Sequence, residues 1–328
     1  MAIGRDGTWR IASEAAELVS ACRHDELPAS LSTRGTVTDG LEVLEAPSGS
    51  AATGGTDPAP TVVLPILHGP NGEDGTIQGL LEIAGVPYVG AGVLGSAVAM
   101  DKAMAKTVLD AEGIPQPAWR RLGRRDHIDG DGLPARLIEE LGDTVFVKPA
   151  NMGSSIGVSK ATGPAQLHAA IEQALRYDDL VVIEEAVDAR ELECAVLGND
   201  EPRASTVGEI IPGADFYDYE DKYADGVART EIPAQIDPEV SEAARELALR
   251  TYRALRAEGM ARVDMFLAGD KLLVNEINTL PGFTPISMYP MLWDASGIGY
   301  SQLIDELVSL AIERHQRRSR LSTERLGS

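Results

Sequence analysis

The sequence predicts a chain of mixed α/β and α+β class, and three observations carry that expectation. Short apolar runs alternate with helical segments through the first hundred residues. A strand, a small-residue loop, a second strand, a helix and a third strand follow one another between 143 and 187. Residues 262–288, RVDMFLAGDKLLVNEINTLPGFTPISM, read as a β-hairpin carrying acids. At 328 residues, with 44% hydrophobic and 5% aromatic side chains, the chain has the length for two or three domains and ample core.

In chain order, PSGSAATGGTDPAP (47–60) is a surface loop and TVVLPILHG (61–69) a strand. A helix over 76–84 ends at Gly85, and VPYVG returns as a strand. Ser96–Glu112 reads as one helix with Gly113 and Pro115 as stops, followed by a polar, charge-mixed region to 142. DTVFVKP (143–149) is a strand, NMGSSIG (151–157) a loop, VSK a strand, 164–177 a helix and LVVIEEAV (180–187) a strand. Strands near 191–198 and 203–211, an irregular loop of 213–230, a helix over 238–257, the hairpin and a helix over 300–315 complete the pattern. The tail QRRSRLSTERLGS is expected to fray.

Composition excludes several function classes. A formal charge of −22 and a pI near 4.6 argue against nucleic acid or an anionic membrane surface as partners, since both require a positive field. Any bound polyphosphate must be met by locally placed cations. Cys22 and Cys194 stand far apart and outside metal-ligand spacing, which suits a reduced, cytoplasmic setting. No apolar run approaches the roughly 20 residues that span a bilayer, and MAIGRDGTWRIASEAAEL lacks the pattern of a signal peptide.

In the hairpin, Val263, Met265 and Leu267 alternate with Asp264, Phe266 and Ala268. After Gly269-Asp270-Lys271 the pattern resumes through Leu272, Val274, Glu276 and Asn278. A three-residue loop places Asp264 across from Glu276, on a face that Asn278 shares. Two carboxylates brought this close repel, and one or two Mg2+ ions resolve the repulsion while leaving positions for phosphate oxygens. Ordinary surface acids on an exposed hairpin are the plainer reading.

Only six of the 29 basic residues are Lys, which directs attention to Lys102, Lys148 and Lys222. Lys148 ends an apolar strand beside Gly153-Ser154-Ser155-Ile156-Gly157, whose glycines, amides and hydroxyls can form an anion-binding concavity. Taken alone the loop fits a plain hairpin turn equally well, and it lacks the Gly-Lys-Ser/Thr ending of a Walker A loop. LVVIEEAVDARELE runs from apolar core into Glu184, Glu185, Glu191 and Glu193, an edge suited to adenine and ribose, or simply solvated acids.

MDK (100–102), VKP (147–149), GSSIGVSK (153–160), FYDYEDKY (216–223), ARVDMF (261–266) and NEINTLPGFTPISMYP (275–290) together resemble the D-alanine:D-alanine ligase family, from Ile3 to Glu313. The resemblance implies an ATP-grasp fold preceded by a Rossmann-like domain. It implies units of 1–100 (substrate-binding), 101–188 (central) and 189–316 (C-terminal, with the metal hairpin and a mobile loop), then a polar tail at 317–328. Met1–Trp9 corresponds to the family's second strand and turn. The first strand and its Gly-rich loop are expected to lie upstream of this sequence, the alternative being a damaged or repurposed homologue.

The resemblance also implies residue roles. Lys102, Lys148 and Ser155 would contact phosphates, Glu184 adenine and Glu191 ribose, with backbone contacts to the base from Glu185 to Val187. Asp264, Glu276 and Asn278 would hold two Mg2+, or Mn2+ in their place. Lys222 would reach the transferred phosphate from the mobile loop, and Tyr223 would join Ser154 in a hydrogen-bonded group. His68 would lie near the first D-alanine, Arg262 and the Gly282 amide would stabilise an oxyanion, and Ser287 with Met288 would receive the second D-alanine's carboxylate. Read alone, Arg262 is better taken as a buried ion-pair partner and His68 as a hydrogen-bonded structural histidine. The implied activity is ATP-dependent ligation of two D-alanines for peptidoglycan precursors, by a homodimer. The alternatives are another D-amino acid or D-hydroxy acid as substrate, or nucleotide binding without turnover. Asn71, where the family usually has an aromatic, is a smaller departure.

Overall fold

The computed structural model describes residues 61–128, 132–211 and 229–322. Of the first sixty residues it describes only the strand backbones β1 (Ala2–Ile3), β2 (Trp9–Ile11) and β3 (Thr36–Thr38). Those three pair antiparallel in the order β1-β2-β3. The chain divides into two compact units, Met1–Thr61 with Ile83–Val86, and Val62–Glu82 with Pro87–Ser328. The second unit carries the features below.

The expected strand at 61–69 is reduced to one parallel bridge, Val63 with Tyr88. Pro65 lacks the N–H that would continue a ladder. Helix α1 (Thr76–Ile83) starts where the Asp74 carboxylate accepts the Thr76 and Asn71 amides at 3.0 and 2.8 Å. It stops before Gly85, whose φ of 67° suits a residue without Cβ. The helix expected over 96–112 is two helices, α2 (Val93–Met100) and α3 (Lys102–Ala111). Asp101 leaves helical geometry between them and caps α3 by accepting the Met104 amide at 2.9 Å.

A four-stranded antiparallel sheet has the order β4-β7-β5-β6: β4 (Trp119–Gly123), β7 (Leu180–Glu185), β5 (Thr144–Pro149) and β6 (Ser159–Thr162). A short α4 (Arg124–Ile128) follows β4. Alternation sorts the side chains of β5 and β7. Val145, Val147, Val181 and Ile183 form a core with Leu137 and Leu141 of α5 (Leu133–Leu141) and Leu167 and Ile171 of α6 (Gly163–Ala174). Phe146, Lys148, Val182 and Glu184 lie on the other face, where Val182 packs with Ala103 of α3.

The second sheet is also antiparallel, in the order β10-β9-β8-β11-β12: β10 (Arg229–Glu231), β9 (Arg203–Ile211), β8 (Arg190–Gly198), β11 (Gly259–Ala268) and β12 (Lys271–Asn278). One face buries Cys194, Val196, Val263, Met265 and Val274 against Leu247, Ala248 and Tyr252 of α7 (Pro238–Ala254). On the other face, Ala195, Leu197 and Met260 lie under α8 (Met288–Ala295) and α9 (Tyr300–Ser319). Farther along that face the residues turn polar: Glu191, Glu193, Arg262, Asp264, Glu276 and Asn278. Helix α9 continues past the expected end at 315, because Arg317 pairs with Asp200 and Glu258 and Arg318 with Glu82.

The hairpin differs from expectation in its turn. Ala268 pairs with Lys271, so the loop is the two residues Gly269-Asp270. A register shift between Asp264 and Met265 sets Met265 opposite Val274 but Asp264 opposite Glu276, and Asn275 is the extra residue of a β-bulge. The anticipated pairing is present through a different device. Val274 consequently faces the core, with Ile277 as the next core residue, rather than sharing the face of Glu276 and Asn278.

Candidate functional site

Helix α3 projects Lys102 and Lys106, one turn apart, onto the polar face of the β5–β7 sheet. The Lys102 amide donates to the Ala150 carbonyl at 2.9 Å, fixing the helix start to the end of β5. The Lys102 ammonium donates to the Met152 carbonyl at 2.5 Å. Lys148 donates to Glu184 Oε2 at 2.9 Å and to Asn275 Oδ1 at 3.2 Å, while Lys106 lies 3.4 Å from Glu184 Oε1. Glu184 is 2% exposed, so solvated acids do not describe this strand end. Burial alone would raise its carboxyl, yet Lys148 and then Lys106 hold it below the usual carboxylate range. Burial draws Lys102 and Lys106 below the ordinary lysine value. Lys148, buried as deeply, is instead lifted above it by Glu184 and Glu276.

The GSSIG loop is not a plain hairpin turn. Ser154 and Ser155 both adopt left-handed φ, 52° and 57°, a conformation that costs free energy outside glycine. The Ile156 amide donates to the Gly153 carbonyl at 3.1 Å and that of Val158 to Ser155 at 3.2 Å. A Cβ on Gly153 would lie 3.6 Å from the Gly69 Cα and 3.9 Å from Glu73 Oε2, so this loop abuts the HGPNGEDG turn.

Along 185–187, the Glu185 amide donates to the Ala118 carbonyl and its Oε1 accepts the Ala118 amide at 2.7 Å. The Ala186 amide donates to Thr144, and Val187 is half-buried. Glu191 lies opposite Phe266 and contributes to the field that raises Lys148.

Glu193, Asp264 and Glu276 form a row across β8, β11 and β12. Arg262 sits beside that row. Its Nε and Nη2 donate to the two oxygens of Asp264 at 2.7 Å each, and Nε lies 3.0 Å from Glu193 Oε2. Burial opposes the guanidinium charge, but Asp264 and Glu193 hold it well above its ordinary value. Asn278 donates its amide to Asp264 Oδ2 at 3.0 Å. Among the described residues no three His, Cys, Asp or Glu side chains form a cation-binding group. The candidate set is therefore two carboxylates and the Asn278 amide oxygen. Their donor chemistry is the hard, oxygen-only type that Mg2+ takes, while in this structure both Asp264 oxygens accept from Arg262, and the Asn278 amide nitrogen, rather than its oxygen, faces Asp264.

Near this row lie His68 and Glu73. The His68 ring hydrogen-bonds the Leu280 backbone, and partial desolvation, with the Arg262 charge, holds it below the usual histidine range. Glu73 accepts the Gly69 amide at 2.6 Å, and burial pushes its carboxyl up to about 7. Gly282 lies against Ser287, since a Cβ there would be 3.0 Å from Ser287 Oγ. Ser287 precedes α8, and its Oγ accepts the Thr284 amide at 3.1 Å. Met288 is 8% exposed and its side chain packs into the core against Gly208. Lys222 and Tyr223 lie outside the described residues.

Three residues of this region escape the sequence reading, Lys106, Glu73 and Asn275, and the ion-pair alternative for Arg262 gains named partners, Glu193 and Asp264. A signal existed for Lys106, which stands four positions after Lys102 on one helical face.

Two antiparallel sheets, one presenting buried lysines and the other a hard-oxygen hairpin, define an ATP-grasp ligase. The chain belongs to the D-alanine–D-alanine ligase family: the sequence model of the D-ala D-ala ligase C-terminus matches residues 108–309 and that of the N-terminus residues 1–91. It is 53% identical over 257 residues to a D-alanine–D-alanine ligase of Acetivibrio thermocellus, covering 77% of this chain and 68% of that one. The VanG D-Ala:D-Ser ligase of Enterococcus faecalis superposes with a TM-score of 0.70 at 40% identity, over 76% of this chain and 72% of that one. The D-alanine–D-alanine ligase of Bacillus anthracis complexed with ATP superposes at 0.67 and 31% identity, over 78% and 81%.

Proposed function

We propose that this chain joins two D-alanines to D-alanyl-D-alanine at the expense of ATP, for peptidoglycan precursor synthesis. The observation that carries the reading is that Lys148 donates to Asn275 Oδ1 of the acidic hairpin at 3.2 Å, one residue before Glu276. One ligand can therefore meet lysines and acids together. In this reading Lys102, Lys148 and Ser155 hold the ATP phosphates, Glu184 and the 185–187 backbone the base, and Glu191 the ribose.

The first D-alanine, beside His68, offers a carboxylate oxygen to the γ-phosphorus, giving an acylphosphate and ADP. The second D-alanine, its carboxylate at Ser287 and the Met288 backbone, attacks the acyl carbon through its amine. Arg262 and the Gly282 amide face the oxygen that becomes negative, and phosphate departs as the amide forms. Holding both amino acids in sequence replaces an encounter in solution. Lys222 and Tyr223 belong to the closing loop that keeps water from the acylphosphate, and Tyr223 joins Ser154 of the GSSIG loop in a hydrogen-bonded group. Divalent cations held by Asp264, Glu276 and Asn278 would supply charge neutralisation on the phosphate oxygens when bound. The same reading assigns substrate binding to 1–100, the central ATP-grasp unit to 101–188 and the C-terminal unit to 189–316, in a cytoplasmic homodimer. Among the described residues no helix is long and apolar enough to cross a membrane.

The test is phosphate release from ATP by the purified protein, with the product weighed by mass spectrometry. D-Alanine-dependent release with D-alanyl-D-alanine as product is expected. The likeness to a D-Ala:D-Ser ligase favours one second reading, in which D-serine is the nucleophilic substrate. A panel of D-serine and D-lactate against D-alanine separates the readings. Phosphate release greater with D-serine would replace the first, and ATP binding without release under any condition would overturn both.

A further inference from the structure

We propose that Lys106 is a positioning residue of the nucleotide site: its ammonium shares the Glu184 carboxylate with Lys148, which leaves Lys148 with positive charge to direct at a polyphosphate. This rests on the nucleotide reading above. It adds a residue for which that reading has no role.

The geometry is asymmetric and buried. Lys148 holds Glu184 Oε2 at 2.9 Å and Lys106 stands at 3.4 Å from Oε1. Lys106 and Glu184 are each 2% exposed. A buried ammonium needs an anionic or polar partner to remain charged. Had the fold supplied Lys148 and Glu184 alone, the two would form a closed pair with no net charge. With Lys106 the three groups Lys106, Lys148 and Glu184 carry one excess positive charge in a water-poor place, while Lys102 nearby is faced by Glu276 and Glu73. Burying excess cation costs free energy, and an incoming anion offsets that cost.

Lys106 is held for this position. Gln116 Oε1 faces its ammonium at 3.5 Å, and Gln116 Nε2 donates to the Lys106 carbonyl at 2.9 Å and to Asp110 Oδ1 at 2.6 Å. Trp119, directly opposite Glu184 in the β4–β7 ladder, donates to the other Asp110 oxygen at 3.1 Å. Ala103, Ala150 and Val182 provide an apolar wall behind the lysines, which lowers the local dielectric and strengthens each charge. A lysine serving stability alone would not make ligand affinity depend on ligand charge.

That distinction gives the experiment. Adenosine, ADP and ATP are titrated calorimetrically, with magnesium present, into the full chain and into Lys106→Met, Lys106→Gln and Lys106→Arg. Loss of the charge is expected to weaken ADP and ATP about tenfold while adenosine stays within about twofold, since one pKa-unit equivalent of interaction is a factor of ten. Lys106→Arg should recover most of the loss, and the KM for ATP should rise more than kcat falls. Equal losses for adenosine and ADP, or unchanged ADP affinity in the charge-removing variants, would overturn the proposal. If Lys106→Met does not fold, Lys106→Gln gives the same reading, because it removes the charge and retains a donor for Glu184. A parent chain that binds neither ADP nor ATP sinks the nucleotide reading itself, a separate result.

Discussion

Glu73 shows how a single carboxyl can couple a turn to pH. Burial raises it to about 7, the Gly69 amide offsets part of that, and Glu276 adds to it, while Arg262 and Lys102 pull the other way. In the unfolded chain the same carboxyl ionises near 4.5. Between those values the folded state holds a proton that the unfolded state has lost, so stability is full below the lower value and declines as pH rises toward the upper one. Glu73→Gln keeps an acceptor for the Gly69 amide and removes the titration. Relative to the parent, the variant should gain on the order of 2 kcal/mol between pH 5 and pH 8, read from urea midpoints in metal-free buffer. Parallel curves for the two proteins would show that Glu73 ionises normally. This residue is illegible in GPNGEDG, where an acid between glycines reads as a turn. Gly153, far along the chain, lies against it: a Cβ there would be 3.9 Å from Glu73 Oε2. His68 is legible only by motif, since its partner, the Leu280 backbone, is equally remote.

At the scale of the element, the β11–β12 hairpin joins the core to the site. Alternation reveals that Asp264 and Glu276 meet, but the turn length and the bulge compensate each other and neither is separately visible in the sequence. Asn275 is the residue that the bulge adds, and its Oδ1 accepts from Lys148 across to the other sheet. Deleting Asn275 restores regular alternation: Val274 and Ile277 still face the core, and Glu276 still meets Asp264. The deletion variant is therefore expected to unfold cooperatively, within about 2 kcal/mol of the parent. Its ADP affinity should fall about fivefold, the worth of one ordinary hydrogen bond of about 1 kcal/mol net. Denaturation with parallel calorimetry checks both. An unfolded product would show that the bulge is needed by the fold, and unchanged affinity that Lys148 does not depend on it. Helices α2 and α3 give the converse case: MDKAM contains an N-cap signal at Asp101, obscured by the continuous apolar pattern around it.

For the molecule as a whole, a chain with a formal charge of −22 gathers Lys102, Lys106 and Lys148 around one buried glutamate. The acidic surface does not oppose this, because interactions between exposed charges are screened within about 10 Å in ordinary salt while buried groups are not. The register of β5 on β7 puts Lys148 and Glu184 on a common face; TVFVKP buries every second residue, but Val181 to Glu184 are all buried, so alternation in LVVIEE does not reveal it. Which face would meet lysines from α3 depends on tertiary packing and is absent from local pattern. The central claim is that ATP activates a D-alanine carboxylate as an acylphosphate. Its most direct measurement uses D-alanine labelled with oxygen-18 in both carboxylate oxygens, with the released phosphate weighed by mass spectrometry. One labelled oxygen per phosphate is expected, carried over when the acyl carbon parts from the phosphoryl group. Phosphate free of label, formed alongside dipeptide, would contradict the account.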